Sequence, residues 1–195
     1  MPELTAQEER ESYRARHQLS VEEFHRMAAA GVFAPDARIE LMEGELLDMP
    51  PIGPPHAHAL DHLTTIFAPF ADRIILRVQG PVGISLRSEL VPDLLLLRRA
   101  PGGYPDAAPK PTDVVLLIEV SDTTLRYDRE DKIPLYGRHG VPETWLLDLN
   151  SKQLEIYSQP GANGYQTIRR PLADQLVSPA LLPDFEARAG ALFPG

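Results

Sequence analysis

Apolar residues change their spacing several times along the chain, and each change marks an element. After Ser20, with Glu23 in capping-box position, Val21, Phe24, Met27 and Ala28 fall on one helical face, so a helix is predicted up to Gly31. Arg38–Met42 and Glu45–Met49 are short runs parted by Glu43-Gly44, a hairpin signal. Helical spacing returns in His56–Ala71 through Leu60, Leu63, Ile66, Phe67 and Phe70. Ile74–Val78, Val82–Leu86 and Leu94–Leu97 read as strands, and Ala100–Pro111, rich in Pro, Gly and Ala, as a surface loop. Asp113–Val120 is nearly all apolar and β-branched, which predicts a central strand covered on both faces. A helix around Asp128–His139 follows, interrupted by Pro134, which removes a backbone donor. Thr144–Leu149 and Gln153–Tyr157 form a hairpin across Asn150-Ser151, Tyr165–Arg169 adds an edge, and the tail is expected to pack as irregular turns. The order predicts a mixed α/β sheet flanked by helices.

Residues 1–18 carry Glu and Arg with little apolar spacing, so a flexible arm is expected before a single domain over 19–195. The polar N-terminus lacks a signal-peptide core, no apolar run reaches the ~20 residues of a membrane helix, and a cytoplasmic protein is expected. With no cysteine in the sequence, disulfides and thiolate metal sites are excluded. The net charge of −9 counts against casual nucleic-acid binding, because duplex affinity comes largely from Lys and Arg on phosphates. A local basic patch, near Arg98 and Arg99 or Arg169 and Arg170, would be needed to offset it.

Two acids stand where a folded chain has to compensate them. Asp93 follows Pro92 at the head of the Leu94–Leu97 run, and Glu119 sits near the end of the most buried strand. Such carboxylates are costly in an apolar setting without a cation or donor. If they converge from neighbouring strands they invite a hard divalent ion, Mg²⁺ or Mn²⁺, which takes one or two carboxylates plus waters. The same spacing also fits two unconnected acids that cap strand ends or pair with arginine.

The stretch VPDLLLL…VVLLIEVSDTT…DREDK…LYGRHGVPETWLLDL resembles the Uma family of restriction-endonuclease-like proteins, within the PD-(D/E)XK nuclease superfamily. RIELMEGEL, GPPHAHALDHL and SPALLPDF extend the similarity from about Ser20 to Phe193. The resemblance implies an α-β-β-β-α-β core and Mg²⁺-dependent hydrolysis of phosphodiester bonds in nucleic acid, with DNA the expected substrate. It makes Asp93 the aspartate of the proline-aspartate pair, Glu119 the second acid and the Val120 carbonyl a backbone ligand. The lysine expected two residues after the second acid is Ser121 here, which makes Lys132 the nearest migrated candidate, unless it is a solvated helix lysine. His56 matches a family histidine at a helix start and would orient substrate or water. Glu45 matches a glutamate that would complete the metal site, with Glu40 the competing choice.

His58 and His62, four apart, have no partnering H-E-x-x-H motif, which leaves a zinc hydrolase a distant reading. Two readings remain: a metal-dependent DNA endonuclease, acting as a homodimer if it cuts both strands, and a nuclease-fold interaction module whose site no longer cuts. The second is supported by the charge and by Ser121 in the lysine position.

Overall fold

In the computed structural model, which describes residues 16–105 and 107–195, the alternation along the longest apolar strands sets the architecture. The first fifteen residues, most of the expected arm, lie outside the described residues. Helix α1 (Val21–Ala29) is closed by the expected capping box: Ser20 Oγ accepts from the Glu23 backbone N–H, and Glu23 accepts from the Ser20 N–H. Strands β1 (Ile39–Met42) and β2 (Glu45–Asp48) form the expected hairpin. Glu43 (φ 50°) and Gly44 (φ 89°) both adopt positive φ, as a two-residue turn between twisted strands requires.

Helix α2 (Pro54–Phe67) leads to β3 (Ile74–Val78). The Val82–Leu86 run becomes β4 (Val82–Ser85), which turns directly into β5 (Ser88–Leu90), a strand too short for the pattern to announce. These two join the first hairpin in a four-stranded sheet, β2-β1-β5-β4. β6 (Leu94–Arg98), β7 (Val114–Ser121), β8 (Glu143–Asp148), β9 (Gln153–Gly161) and β10 (Gly164–Arg169) build the main sheet, ordered β10-β9-β8-β7-β6-β3. Among the described residues only β7 and β8 run parallel, so the chain needs a crossover between them, and helix α3 supplies it. The sequence α2–β3–β6–β7–α3–β8 is the expected α-β-β-β-α-β order, with the β4–β5 hairpin inserted.

Helix α3 spans residues 125–138 in three joined parts: α-helical Leu125–Tyr127, a widened π turn over Asp128–Lys132, and α-helical Ile133–Arg138. Pro134 therefore does not end the helix. Its ring would crowd the carbonyl four residues back, and the wide turn immediately before it relieves that conflict.

Period-two alternation sorts the central strands. Leu94, Leu96, Leu116, Ile118 and Val120 face α2 and the C-terminal tail, while Leu95, Leu97, Val114 and Leu117 face α3 and the small sheet. Asp93 and Glu119 share the parity of the second set. The tail is more ordered than the expected turns: β11 (Leu176–Val177) pairs with β12 (Ala187–Arg188), and Phe185 stacks on Phe67 at 4.5 Å between ring centroids. Two-residue strands lie below what periodicity reveals. No helix among the described residues is long and apolar enough to cross a membrane.

Gly137 lets α3 lie directly on β10. A Cβ there would meet the Gly164 carbonyl carbon and the Tyr165 nitrogen, both at 2.6 Å. Gly137→Val is expected to cost about 2 kcal/mol or more, since backbone cannot yield as a flexible side chain can. A urea midpoint equal to wild type would show that the helix is not held at this distance.

Candidate metal and catalytic centre

Asp93 lies just before β6, and β6 pairs with β7 through Leu94 opposite Ile118, so Asp93 comes beside Glu119 one residue beyond the last paired rung. Both side chains are buried, at 8% and 2% exposure, and both line a cleft of about 770 Å³. Asp93 Oδ1 accepts from Gln79 Nε2 at 3.3 Å and lies 2.8 Å from His56 Nε2, while Oδ2 accepts the Val120 N–H at 2.9 Å. His56 stands in the first turn of α2 and lines the cleft. Burial works against its protonation, but Asp93 outweighs burial and raises its pKa above the ordinary histidine value.

Lys132 extends from the π turn into the cleft. Its Nζ is 3.0 Å from Glu40 Oε1 and 3.3 Å from Glu119 Oε1. Burial disfavours its charge, yet Glu119, Glu40, Asp128 and Asp93 together raise its pKa, so it is an ammonium at every working pH. One turn later Tyr136 donates to Glu119 Oε1 at 2.6 Å. Burial raises the Glu119 pKa well above the carboxylate range; Lys132 and Tyr136 oppose this, and Asp93 and Asp128 add to it.

Glu40, not Glu45, enters the cleft. The hairpin turn sits at the Met42–Glu45 end of the pair, which leaves Glu45 exposed, whereas Glu40 pairs with Leu47 toward the open end that borders the cleft. Glu40 Oε1 also accepts the Val91 N–H at 2.7 Å. Of the histidine pair, His62 lies 2.9 Å from the Ala191 carbonyl in the tail, and neither His58 nor His62 lines the cleft.

Asp128 and Tyr136 were not among the sequence candidates. Asp128 Oδ2 accepts from Ser121 Oγ at 2.7 Å and Thr124 Oγ1 at 2.6 Å, so the serine in the expected lysine position anchors a further buried acid. Burial raises the Asp128 pKa, while Lys132 and the two hydroxyls restrain it. Counting at the 3.6-residue period does not single out Asp128 and Tyr136, because the π turn between them shifts the phase of the helix.

Glu40, Asp93, Glu119 and Asp128 are thus gathered around a single lysine, an excess of negative charge that a buried site tolerates poorly without a cation. Among the described residues, no three His, Asp or Glu side chains form a ready-made metal cage. The donor set fits a hard ion of another kind. Asp93 Oδ2 accepts one hydrogen bond and keeps a lone pair, and only Oε1 of Glu119 is engaged. Two carboxylate oxygens with room for water match the preference of Mg²⁺.

The sequence matches the model of the family Uma2, described as "Putative restriction endonuclease", over residues 21–190. The fold is similar to a crystal structure described as that of "a putative nuclease belonging to DUF820" from Anabaena variabilis, with a TM-score of 0.66 and 16% identity over 90% of this chain and 97% of that one. At that identity the likeness establishes the fold alone. No functionally curated protein matches the chain.

Proposed function

Since the chain belongs to the Uma2 family, we propose that it is a divalent-metal-dependent nuclease hydrolysing phosphodiester bonds in DNA, with Asp93 and Glu119 as the protein's metal ligands. The observation that carries this reading is the placement of the Lys132 ammonium beside Glu119 in the cleft that Asp93 also lines. Mg²⁺ or Mn²⁺ held there would polarise the scissile phosphate and help generate the attacking hydroxide. Lys132 supplies the fixed positive charge that stabilises the oxygens of the pentavalent transition state. His56 holds Asp93 in place through the 2.8 Å contact and orients the attacking water from the cleft wall. Tyr136 and Lys132 occupy one oxygen of Glu119, which would leave the other to hold an ion.

A second reading, a nuclease fold that binds without cutting, is favoured by the lining itself. Eight carboxylates face three cations, a formal balance of −5. The two readings part on metal binding linked to catalysis. Mg²⁺ or Mn²⁺ is expected to raise the melting temperature of the wild type by mass action, about 2.7 kcal/mol at a hundredfold excess over Kd. Glu119→Gln is expected to fold and to lose that shift. An equal response in the variant would place the ion elsewhere.

A further inference from the structure

We propose that the cleft accepts a phosphodiester joining two unpaired nucleosides, presented by a short oligonucleotide or by the frayed end of a strand, and excludes a continuous duplex. The inference rests on the hydrolytic reading above and narrows its substrate.

Four of the lining acids, Asp48, Asp122, Glu130 and Asp131, are exposed or half-buried and form the rim, while the other four lie buried at the floor. Each lining cation is already engaged. Lys132 is held between Glu40 and Glu119, Arg126 Nε donates to Glu130 Oε2 at 2.9 Å, and Arg38 Nη1 donates to the Pro50 carbonyl at 2.8 Å. A duplex carries one charge per ~1.7 Å of axis and is held by several Lys and Arg on its phosphates. Among the described residues, none on this rim supplies them, and phosphates beyond the scissile one would meet further carboxylates. A dinucleotide brings one negative charge, which Lys132 and an ion held by Asp93 and Glu119 would receive.

Part of the cleft lining is apolar. Leu47, Met49, Pro50, Pro51 and Ile52 make up this part, and Ile52 is 41% exposed. An apolar shelf of this kind suits the face of an unstacked base, which a paired base inside a duplex does not offer. The volume of about 770 Å³ lies within the ~300–1,000 Å³ of small-molecule sites. A site taking one unpaired strand also has no need of the symmetric pair of centres that cutting a duplex calls for.

The test compares four substrates with the full chain and Mn²⁺: bis(p-nitrophenyl) phosphate, a dinucleotide, a blunt duplex, and the same duplex with a single-stranded tail. Expected are dinucleotide and tail cleavage with kcat/KM at least about tenfold above the blunt duplex, and little dependence on added salt, since few counterions are released. Asp131→Lys is expected to narrow that ratio by adding a free cation to the rim. Duplex cleavage equal to or faster than tail cleavage, falling steeply with salt, would overturn the inference while leaving hydrolysis intact. Hydrolysis of the nitrophenyl diester alone would overturn it in the same way. Failure to cleave any of the four would remove the hydrolytic reading, and the inference with it.

Discussion

Lys132→Met is expected to destabilise the protein by about 3–5 kcal/mol near neutral pH, because it strands Glu40 and Glu119 as buried acids without their shared cation. The deficit carries a pH signature whose sign follows from Glu119. Burial already holds its pKa above the unfolded value of roughly 4.3, and Lys132 is the strongest influence pulling it down. Without the lysine the folded pKa rises further, so the folded state binds a proton that the unfolded chain releases. Stability is then fully present below the unfolded pKa and is lost as pH rises through the folded one. Urea denaturation of wild type and variant is expected to show nearly equal midpoints at about pH 4 and the full gap at about pH 8. Mg²⁺ is expected to recover part of the gap by supplying the missing charge. A gap of the same size at both pH values would mean that Lys132 acts through packing rather than charge. Turnover is expected to fall by about 10²–10³, the effect of removing one preorganised transition-state donor.

Much of this centre is legible in the sequence because it depends on strand alternation. Asp93 and Glu119 lie two residues from Leu95 and Leu117, and parity alone sets them on the α3 face of the sheet. The capping box at Ser20 and the helix through Leu60, Leu63 and Phe67 are equally local signals. The choice between Glu40 and Glu45 is not local. It depends on where the first hairpin docks, which is set by β1 pairing with β5 at Leu41 and Glu89, across 48 residues of chain. A three-residue strand such as β5 carries too little alternation to announce that pairing. Asp128 and Tyr136 are obscured for another reason. The π turn shifts the phase of α3 by an amount that a 3.6-residue period does not encode, so the faces of residues 128 to 136 cannot be read by counting. Pro134 marks where the disturbance falls, but not that it takes the form of a π turn.

Charge, too, is only partly legible in the sequence. A net charge of −9 describes the whole surface, and only the fold gathers eight carboxylates around one cleft. Three of the four arginines expected to offset it are used elsewhere: Arg170 binds Glu155, and Arg98 and Arg99 donate to the Thr112 and Ala71 carbonyls. The pairing of Arg170, together with Arg129, with Glu155 is structural. Burial favours its neutral form, yet Arg170, Tyr157 and Arg129 hold its pKa below the ordinary glutamate value.

Asp93→Asn is the other substitution with a large expected effect, and it keeps the side-chain shape. An amide oxygen still accepts the Val120 N–H, so the fold is expected to survive, while the charge that holds the ion is lost. Metal-ion catalysis supplies several kcal/mol of transition-state stabilisation, and about 1.4 kcal/mol is a factor of ten, so a loss of roughly 10³ or more in kcat is expected. The most direct measurement is therefore the rate of bis(p-nitrophenyl) phosphate hydrolysis by wild type and Asp93→Asn, each with Mn²⁺ and with chelator. The account predicts hydrolysis by the wild type only, dependent on Mn²⁺ and abolished by chelation. Equal rates for the two proteins, or no metal-dependent hydrolysis by the wild type, would contradict it.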